Sequence, residues 1–271
     1  MKNLNIYKSL NEIITYIEEN LEQDINYSKM AQIMTTNEYT MKKVFQLLTN
    51  IPISEYIRNR KLSNAGFDLY KNNEKIIDVA IKYHYDNPTS FSRAFEKFHG
   101  IKPSNVKSNP NKLKLFPKLE FEENINEISN NMEYSIVELE EKILYGKGIK
   151  TAYSTIQKDA PNFFSKMRKK YFSKYGEIDY GIVMYEERFE SNQFEYWIAY
   201  EKEVEDFEKI LIPKSKWLKF VIKSQEPLDI QKVSRAFYEK FITSSKFKLR
   251  PLPELEYYYD NITEFLIPIE D

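Results

Sequence analysis

A helical motif occurs twice within the first 110 residues of the chain, at an offset of about fifty residues. The run VFQLLTNIPISEYI from Val44 aligns with AFEKFHGIKPSNVK from Ala94. This alignment pairs Phe45 with Phe95, and the match continues upstream, where a short Met-Ala step corresponds to Val-Ala. A repeat of this length restricts the fold of the region to two copies of one small helical unit, forming a bipartite structure.

Each copy of the motif is predicted to be two helices joined by a short turn. In the first copy, apolar residues recur at helical spacing over residues 26–34 and 41–48, and residues 35–37 interrupt the pattern. The second copy repeats this order, with its turn at residues 84–87. A longer helix over residues 54–70 is expected between the copies as a rigid spacer.

The charge of the chain is divided unequally between its two parts. Residues 1–112 hold 16 Lys and Arg against 12 Asp and Glu, a net charge of +4. Residues 113–271 hold 24 against 29, a net charge of −5. The basic part is the part with the repeat, which is the direction expected of a nucleic-acid binder.

Composition excludes several kinds of site and location. The chain has no cysteine and two histidines, which excludes disulfides, thiolate chemistry and a cysteine-based or histidine-rich metal site. Charged residues interrupt every apolar stretch near the N-terminus, so we expect neither a signal peptide nor a membrane span. The expected location is therefore the cytoplasm.

The run KIIDVAIKYHYDNPTSFSRAFEKFHGIKPSNV resembles the signature of AraC/XylS-type transcription regulators, and the resemblance extends over residues 5–108. The family pattern is a helix with Ala near its middle, a turn, S-x-F-S-R-x-F-K and then G-x-x-P-S. Thr89 stands for the first Ser and Glu96 for the Lys, which implies the loss of one phosphate contact. Family members usually carry Gly where Thr35 and His84 stand, and β-branched Thr35 predicts a locally different turn.

The resemblance implies that residues 1–108 form an all-α, homeodomain-like domain with two helix-turn-helix units. Two recognition helices about one turn of DNA apart, roughly 34 Å, can enter successive major grooves and read two adjacent half-sites of double-stranded DNA. Taken singly, the polar residues on such helices are ordinary solvated surface, but the double motif favours DNA contact. The residues expected to face DNA are Tyr39, Lys42 and Lys43 in the first unit and Thr89, Ser90, Ser92 and Arg93 in the second.

The sequence changes character after the repeat. Residues 109–133 carry Pro, Asn and charge runs without sustained periodicity, which predicts a linker. Residues 134–271 contain β-branched and aromatic segments such as YGIVMYEERF, FEYWIAYE and TEFLIPIE, with amphipathic helices predicted at residues 162–175 and 230–241. The repeated order of strands, helix and strands predicts a duplicated α+β unit with an antiparallel sheet.

Residues 134–271 also resemble the GyrI-like effector-binding domain, a pseudo-twofold pair of such units whose concave sheet surface forms a ligand groove. The segments IVELEEKILYGKGI, WLKFVIKS and PELEYYYD carry the resemblance. It implies that Glu256 faces the groove and can meet a cationic ligand, with Trp197 and Tyr258 as neighbouring aromatic positions. Tyr185 and Tyr200 are further candidates, although any of these aromatic residues taken singly is equally consistent with an ordinary core.

The two resemblances together predict a multidomain, sequence-specific transcription regulator, an activator controlled by a small, lipophilic and cationic effector. Its expected partners are double-stranded DNA, the effector and RNA polymerase. When it is bound to DNA, the chain is expected to be nucleoid-associated. Two alternatives stay open. Some GyrI-like domains hydrolyse strained small molecules with a Glu and a Tyr, so the chain could be such a hydrolase fused to a DNA-binding module, or the second domain could make protein contacts only. The sequence shows no nucleophile–base pair, phosphate loop or metal spacing, so we expect no enzyme, no catalytic residue and no cofactor.

Overall fold

The structure is a computed structural model of the chain, and it describes residues 6–72, 74–121, 132–186, 189–242 and 245–270. Most of these residues fall into two compact units. The helical unit contains residues 7–34 and 53–121, and the sheet unit contains residues 35–52 and 132–270. Residues 35–52, which belong to the first repeat copy, lie in the sheet unit.

The helices of the described residues are α1 (Ile6–Glu19), α2 (Tyr27–Ile33), α3 (Glu38–Thr49), α4 (Ile53–Phe67), α5 (Ile76–Lys82), α6 (Pro88–His99), α7 (Ile156–Tyr175) and α8 (Pro227–Ala236). Single π-helical segments extend α4 and α8, at Asp68–Asn72 and Phe237–Phe241. The strands are β1 (Ser135–Leu139), β2 (Lys142–Ala152), β3 (Tyr180–Met184), β4 (Gln193–Tyr200), β5 (Glu208–Ile212), β6 (Ser215–Ile222), β7 (Glu254–Tyr259) and β8 (Ile262–Ile269). Across the described residues, no helix has both the length and the apolar character that crossing a membrane requires.

Helices α5 and α6 form the second repeat copy, which lies wholly in the helical unit. The Asn87 side chain caps α6 by accepting a hydrogen bond from the Ser90 backbone N–H at 2.8 Å, and Pro88 takes the first helical turn. Gly100 ends the helix with a left-handed φ of 78°. The inward side chains form one buried core that includes Val79, Ala80, Tyr83, Phe91 and Phe95. The predicted helix-turn-helix is confirmed in this copy.

The turns of the two repeat copies take similar backbone angles despite their different residues. His84 has a φ of 60° and Thr35 a φ of 51°, so both positions are left-handed. The φ angle of Thr35 thus does not show the locally different turn that its β-branched side chain predicts. A β-branched residue is nevertheless strained at a left-handed φ. Asn50 likewise ends α3 with a φ of 58°, at the position that Gly100 holds in the second copy.

The strands of the sheet unit form one antiparallel sheet in the order β1-β6-β8-β7-β3-β4-β2-β5. Outward from the central pair of β3 and β7, one half is β3-β4-β2-β5 and the other is β7-β8-β6-β1. Along the chain, α7 follows β2 and α8 follows β6, so each half carries one helix at the same place. An approximate twofold axis between β3 and β7 thus relates the halves, and the predicted duplicated α+β unit with an antiparallel sheet is confirmed.

Both helices of the sheet unit begin before their predicted starts. Helix α7 begins at Ile156 rather than at residue 162, and it contains Pro161. A proline lacks a backbone N–H and disfavours helix at the preceding residue, so the sequence pattern indicated a helix only after it. Helix α8 begins at Pro227 rather than at residue 230, with the proline in the first turn, where its missing N–H is tolerated.

The segment after the second repeat copy is attached to the helical unit. The backbone N–H of Phe116 donates to the Ser63 hydroxyl at 3.1 Å, and that of Leu119 donates to the Tyr56 hydroxyl at 3.3 Å. The first part of the predicted linker over residues 109–133 is thus held by hydrogen bonds as far as residue 121. Residues 122–131 lie outside the described residues.

Candidate functional site

The outer face of α6 carries the side chains predicted to read DNA in the second repeat copy. Thr89 and Arg93 are exposed and Ser92 is half-buried, while the phenylalanines at two inward positions are fully buried. These three residues follow the i, i+3, i+4 spacing of neighbours on one helix face. Ser90 instead serves the start of the helix, because its hydroxyl donates to the Asn87 carbonyl oxygen at 2.8 Å.

Helix α3 carries the corresponding residues of the first copy, and the structure places them differently. Tyr39 and Lys42 are half-buried, and the Lys42 Nζ lies 3.6 Å from the Glu38 carboxylate. Lys43 is only 1% exposed. Its Nζ lies 2.5 Å from Glu254 Oε1 on β7. The sequence predicts that Lys43 faces solvent to contact DNA, but in this structure the side chain is buried.

The ammonium group of Lys43 lies in a cage formed by Glu254, Tyr39, Tyr185 and Tyr238, here called the ammonium cage. The Nζ is 3.6 Å from the centroid of the Tyr185 ring, 5.1 Å from that of Tyr238 and 5.7 Å from that of Tyr39. Glu254 also accepts hydrogen bonds from the Tyr238 hydroxyl and, at 3.4 Å, from the Tyr185 hydroxyl. Burial lowers the pKa of Lys43, whereas the charge and the hydrogen bond of Glu254 raise it. The cage therefore holds an ammonium by ion pairing and by cation–π contact.

A cavity of about 780 Å³ lies on the same unit, lined by residues of α7, α8 and the central strands β3 and β7. Its apolar lining includes Ile156, Ala160, Phe164, Ile178, Val183 and Ile230. Its aromatic and acidic lining includes Tyr196, Tyr258 and Glu256, and four further charged residues line it: Arg168, Glu177, Glu226 and Asp260. Apolar walls with a few polar groups that fix orientation are the general pattern of a site for a small organic molecule.

Glu256, on β7, is one of the acidic residues that line the cavity. The Tyr258 hydroxyl donates to its Oε2, and the Phe164 ring meets the Tyr258 ring edge-on with 5.4 Å between centroids. Removal from water raises the pKa of Glu256 to about 7; the hydrogen bond from Tyr258 lowers it, and the charge of Glu254 raises it. The carboxyl is thus near its titration midpoint at neutral pH, and a bound cation would favour its ionised form.

Gly181 provides the space that this carboxyl and its neighbours occupy. It lies opposite Glu256 in the register of β3 and β7. A Cβ atom at this position would lie 2.5 Å from Tyr258 Oη, 2.7 Å from Glu256 Oε2 and 2.9 Å from Tyr196 Oη. Because real Cβ atoms do not approach so closely, the arrangement of Glu256 and the two tyrosines requires a glycine here.

The structure brings two of the five predicted ligand residues to the cavity, Glu256 and Tyr258. Trp197 lies on the opposite face of the sheet, because it directly follows Tyr196, the residue of β4 that lines the cavity. Tyr200 is fully buried in the core beneath α7. Tyr185 belongs to the ammonium cage instead.

Sequence reasoning missed three residues of the site: Tyr196, Gly181 and Glu254. Tyr196 directly precedes Trp197 and shares its strand face with the buried Phe194 and Ile198, whereas Trp197 shares its face with Gln193 and Glu195. Alternation along β4 therefore favours Tyr196. Glu254 is two residues before Glu256, so strand periodicity does place both on one face. The pairing of Glu254 with Lys43 spans 211 residues of sequence, and no local pattern indicates it.

Comparison with known proteins assigns a family to each part of the chain. A family model described as a helix-turn-helix domain matches residues 30–109, and one described as a GyrI-like small molecule binding domain matches residues 132–270. The HTH-type transcriptional activator AarP of Providencia stuartii is 34% identical over 95 residues, which is 35% of this chain and 70% of AarP. The multiple antibiotic resistance protein MarA of Escherichia coli K12 is 24% identical over 95 residues, 35% of this chain and 75% of MarA. The structure of SAV2435 bound to tetraphenylphosphonium is 17% identical, covers 51% of this chain and 94% of that chain, and has a TM-score of 0.45.

Helix-turn-helix units followed by a duplicated sheet with a ligand cavity define a DNA-binding regulator with a small-molecule-binding domain. The chain belongs to the AraC/XylS family of transcription regulators, and its C-terminal part is a GyrI-like domain. The class predicted from the repeat and from the second resemblance is thereby confirmed.

Proposed function

We propose that the chain is a sequence-specific transcription activator whose cavity binds a small lipophilic cation. The observation that supports the cation is the Glu256 carboxyl, which lies among aromatic and apolar walls with a pKa raised to about 7. A cation bound there gains an ion pair with Glu256, and its hydrocarbon groups gain burial against the helices. Activation is proposed because the relative AarP is a transcriptional activator, and it implies contact with RNA polymerase on DNA in the cytoplasm.

Replacement of Glu256 by Gln tests the cation directly. Glu256→Gln removes the charge but keeps the shape, so affinity for tetraphenylphosphonium should fall by about tenfold or more. Isothermal titration calorimetry at pH 8 measures the effect. Tetraphenylborate, which has the same four phenyl groups and the opposite charge, is the matched ligand, and its affinity should rise or stay equal in the variant. Equal loss for both ligands would show a packing defect and contradict the cation proposal.

The same site predicts a pH dependence for cation binding. A cation binds the ionised carboxylate, so affinity should increase as pH rises through the pKa of Glu256 and level off above it. With a pKa of about 7, the ionised fraction is roughly one tenth at pH 6 and nine tenths at pH 8, so tetraphenylphosphonium should bind roughly tenfold more tightly at pH 8. Glu256→Gln should bind it equally at the two pH values. A wild-type affinity that does not change with pH would contradict the assignment of Glu256.

A hydrolase is the second candidate function, and one observation favours it. Glu256 has a near-neutral pKa and a direct hydrogen bond from Tyr258, which is an arrangement suited to general base catalysis. Incubation of the purified chain with strained three-membered-ring electrophiles distinguishes the candidates. Saturable binding without turnover supports the effector site, and turnover that is lost in Glu256→Gln supports the enzyme.

A further inference from the structure

The internal repeat allows the two recognition helices to be compared position by position. The alignment pairs Lys43 of α3 with Arg93 of α6, and Gln46 with Glu96. Arg93 and Glu96 are exposed, whereas Lys43 is 1% and Gln46 2% exposed. The same face of the same helical unit is therefore open in one copy and covered in the other.

Hydrogen bonds from the C-terminal part of the sheet unit cover this face of α3. The Thr40 hydroxyl accepts from the Leu249 backbone N–H at 2.9 Å, and the Gln46 side chain donates to the Ser191 carbonyl oxygen at 2.8 Å. At the start of the helix, the Asn37 side chain donates to the Leu249 carbonyl oxygen at 2.8 Å. Buried polar groups are costly unless they are paired. Here Asn37, Thr40 and the amide nitrogen of Gln46 are paired, whereas the Gln46 Oε1 is buried without a hydrogen-bond partner. The contact is thus chemically specific rather than a general apolar association.

The ammonium cage adjoins the ligand cavity. Glu254 and Glu256 lie two residues apart on β7, so their side chains point to the same face of the sheet, about 7 Å apart along the strand. Glu256 opens to the cavity, and Glu254 binds the ammonium of Lys43. One face of one strand therefore presents two adjacent carboxylates, and the chain itself supplies the cation for one of them.

We propose that the ammonium cage is a cation-binding site of the effector domain, that its occupant is Lys43 of the same chain, and that this contact withholds α3 from DNA. The proposal rests on the proposed function, because it assumes that α3 is a helix that reads DNA. The Lys43 ammonium cannot be in the cage and at a phosphate or a guanine edge at the same time. DNA binding by α3 and occupation of the cage are then competing states of one equilibrium.

The neighbouring cavity offers a way to shift this equilibrium. A cation bound at Glu256 places a like charge near the Lys43 ammonium, because Glu254 and Glu256 occupy strand positions about 7 Å apart. This charge destabilises the state in which Lys43 occupies the cage and leaves the state with α3 released largely unaffected. A ligand shifts the equilibrium between two states only through such a difference. An effector would thereby promote release of α3.

A reversible cross-link tests whether the contact blocks DNA binding. The chain has no cysteine, and the Gln46 Nε2 lies 3.3 Å from the Asn192 Oδ1. The double variant Gln46→Cys, Asn192→Cys, bridged by a disulfide-containing bismaleimide, should bind DNA selected by the wild-type chain at least about tenfold more weakly. Reduction of the bridge should restore binding, and the same variant capped with N-ethylmaleimide is the control. A bridged chain that binds as tightly as the capped control would overturn the proposal.

Lysine reactivity tests occupation of the cage without DNA. In the wild-type chain, acetylation of Lys43 followed by mass spectrometry should be at least about tenfold slower than acetylation of the adjacent, half-buried Lys42. Glu254→Gln should bring the two rates close together, whereas Glu256→Gln should leave Lys43 protected. Equal rates for the two lysines in the wild-type chain would overturn the proposal. Failure to select any DNA sequence would count against the regulator function alone, because this measurement still decides whether Lys43 is held in the cage.

Discussion

The ligand cavity depends, at the scale of single residues, on the absence of one methyl group. Gly181 lies opposite Glu256, and a Cβ there would collide with the Glu256 carboxylate and with the hydroxyls of Tyr196 and Tyr258. The Glu256 carboxylate and the two tyrosine hydroxyls are thus accommodated by one glycine. Burial of Glu256 raises its pKa to about 7, although the hydrogen bond from Tyr258 lowers it.

Replacement of Gly181 by Ala should therefore damage ligand binding more than stability. Gly181→Ala should weaken tetraphenylphosphonium binding by about tenfold, and overpacking should cost about 1 to 3 kcal/mol of unfolding free energy. Calorimetric titration and urea unfolding measure the two effects. Gly148→Ala is the matched control, since its Cβ would collide with the Trp197 ring on the opposite face of the sheet. If both variants lose binding equally, the effect of Gly181 is one of general stability.

At the scale of the elements, α3 and α6 have similar helix caps but differ in the exposure of their polar faces. Both are capped by Asn at the start, at Asn37 and Asn87, and both end in a left-handed residue. The polar face of α6 is exposed, while that of α3 is hydrogen-bonded within the sheet unit. We therefore expect α6 to read DNA in the structure as it stands, and α3 to contribute after release.

Arg93 is the residue of α6 whose loss should be most specific. Arg93→Ala should weaken binding to selected DNA by about 1 to 3 kcal/mol and relax base preference at one position. Selection of bound DNA from a random pool, followed by titration, measures both effects. Lys150→Ala removes an equal charge from the exposed surface of β2 and should leave base preference unchanged. Identical losses for the two variants across sequences would contradict a reading role for Arg93.

Local patterns predicted most of these elements, and their failures have physical causes. Apolar periodicity and the cap residues predicted the second helix-turn-helix, because those signals are local. The early start of α7 was missed because Pro161 is unfavourable within a helix. Trp197 was expected from the resemblance, whereas alternation along β4 puts Tyr196 on the buried face. The burial of Lys43 by Glu254 is a tertiary contact between distant segments. Such a contact leaves no periodic trace, and it reverses the exposure that the repeat predicts for Lys43.

At the scale of the whole molecule, the ligand cavity, the ammonium cage and α3 belong to the same compact unit. The proposed effector site and the helix proposed to read DNA thus share one sheet face, with adjacent carboxylates on β7. Coupling between two ligands is reciprocal, so a cation that promotes release of α3 must itself bind more tightly when DNA is present. This arrangement gives a physical route from effector binding to DNA binding without requiring a new contact between the two ligands.

The most direct test of this account is the affinity for selected DNA, measured by fluorescence anisotropy with and without saturating tetraphenylphosphonium. The wild-type chain should bind DNA about fivefold or more tightly in the presence of the cation, which corresponds to about 1 kcal/mol of coupling free energy. Glu256→Gln should show a smaller change at the same cation concentration, because it binds the cation more weakly. A wild-type chain that binds the cation saturably, yet holds DNA with the same affinity in both conditions, would contradict the account.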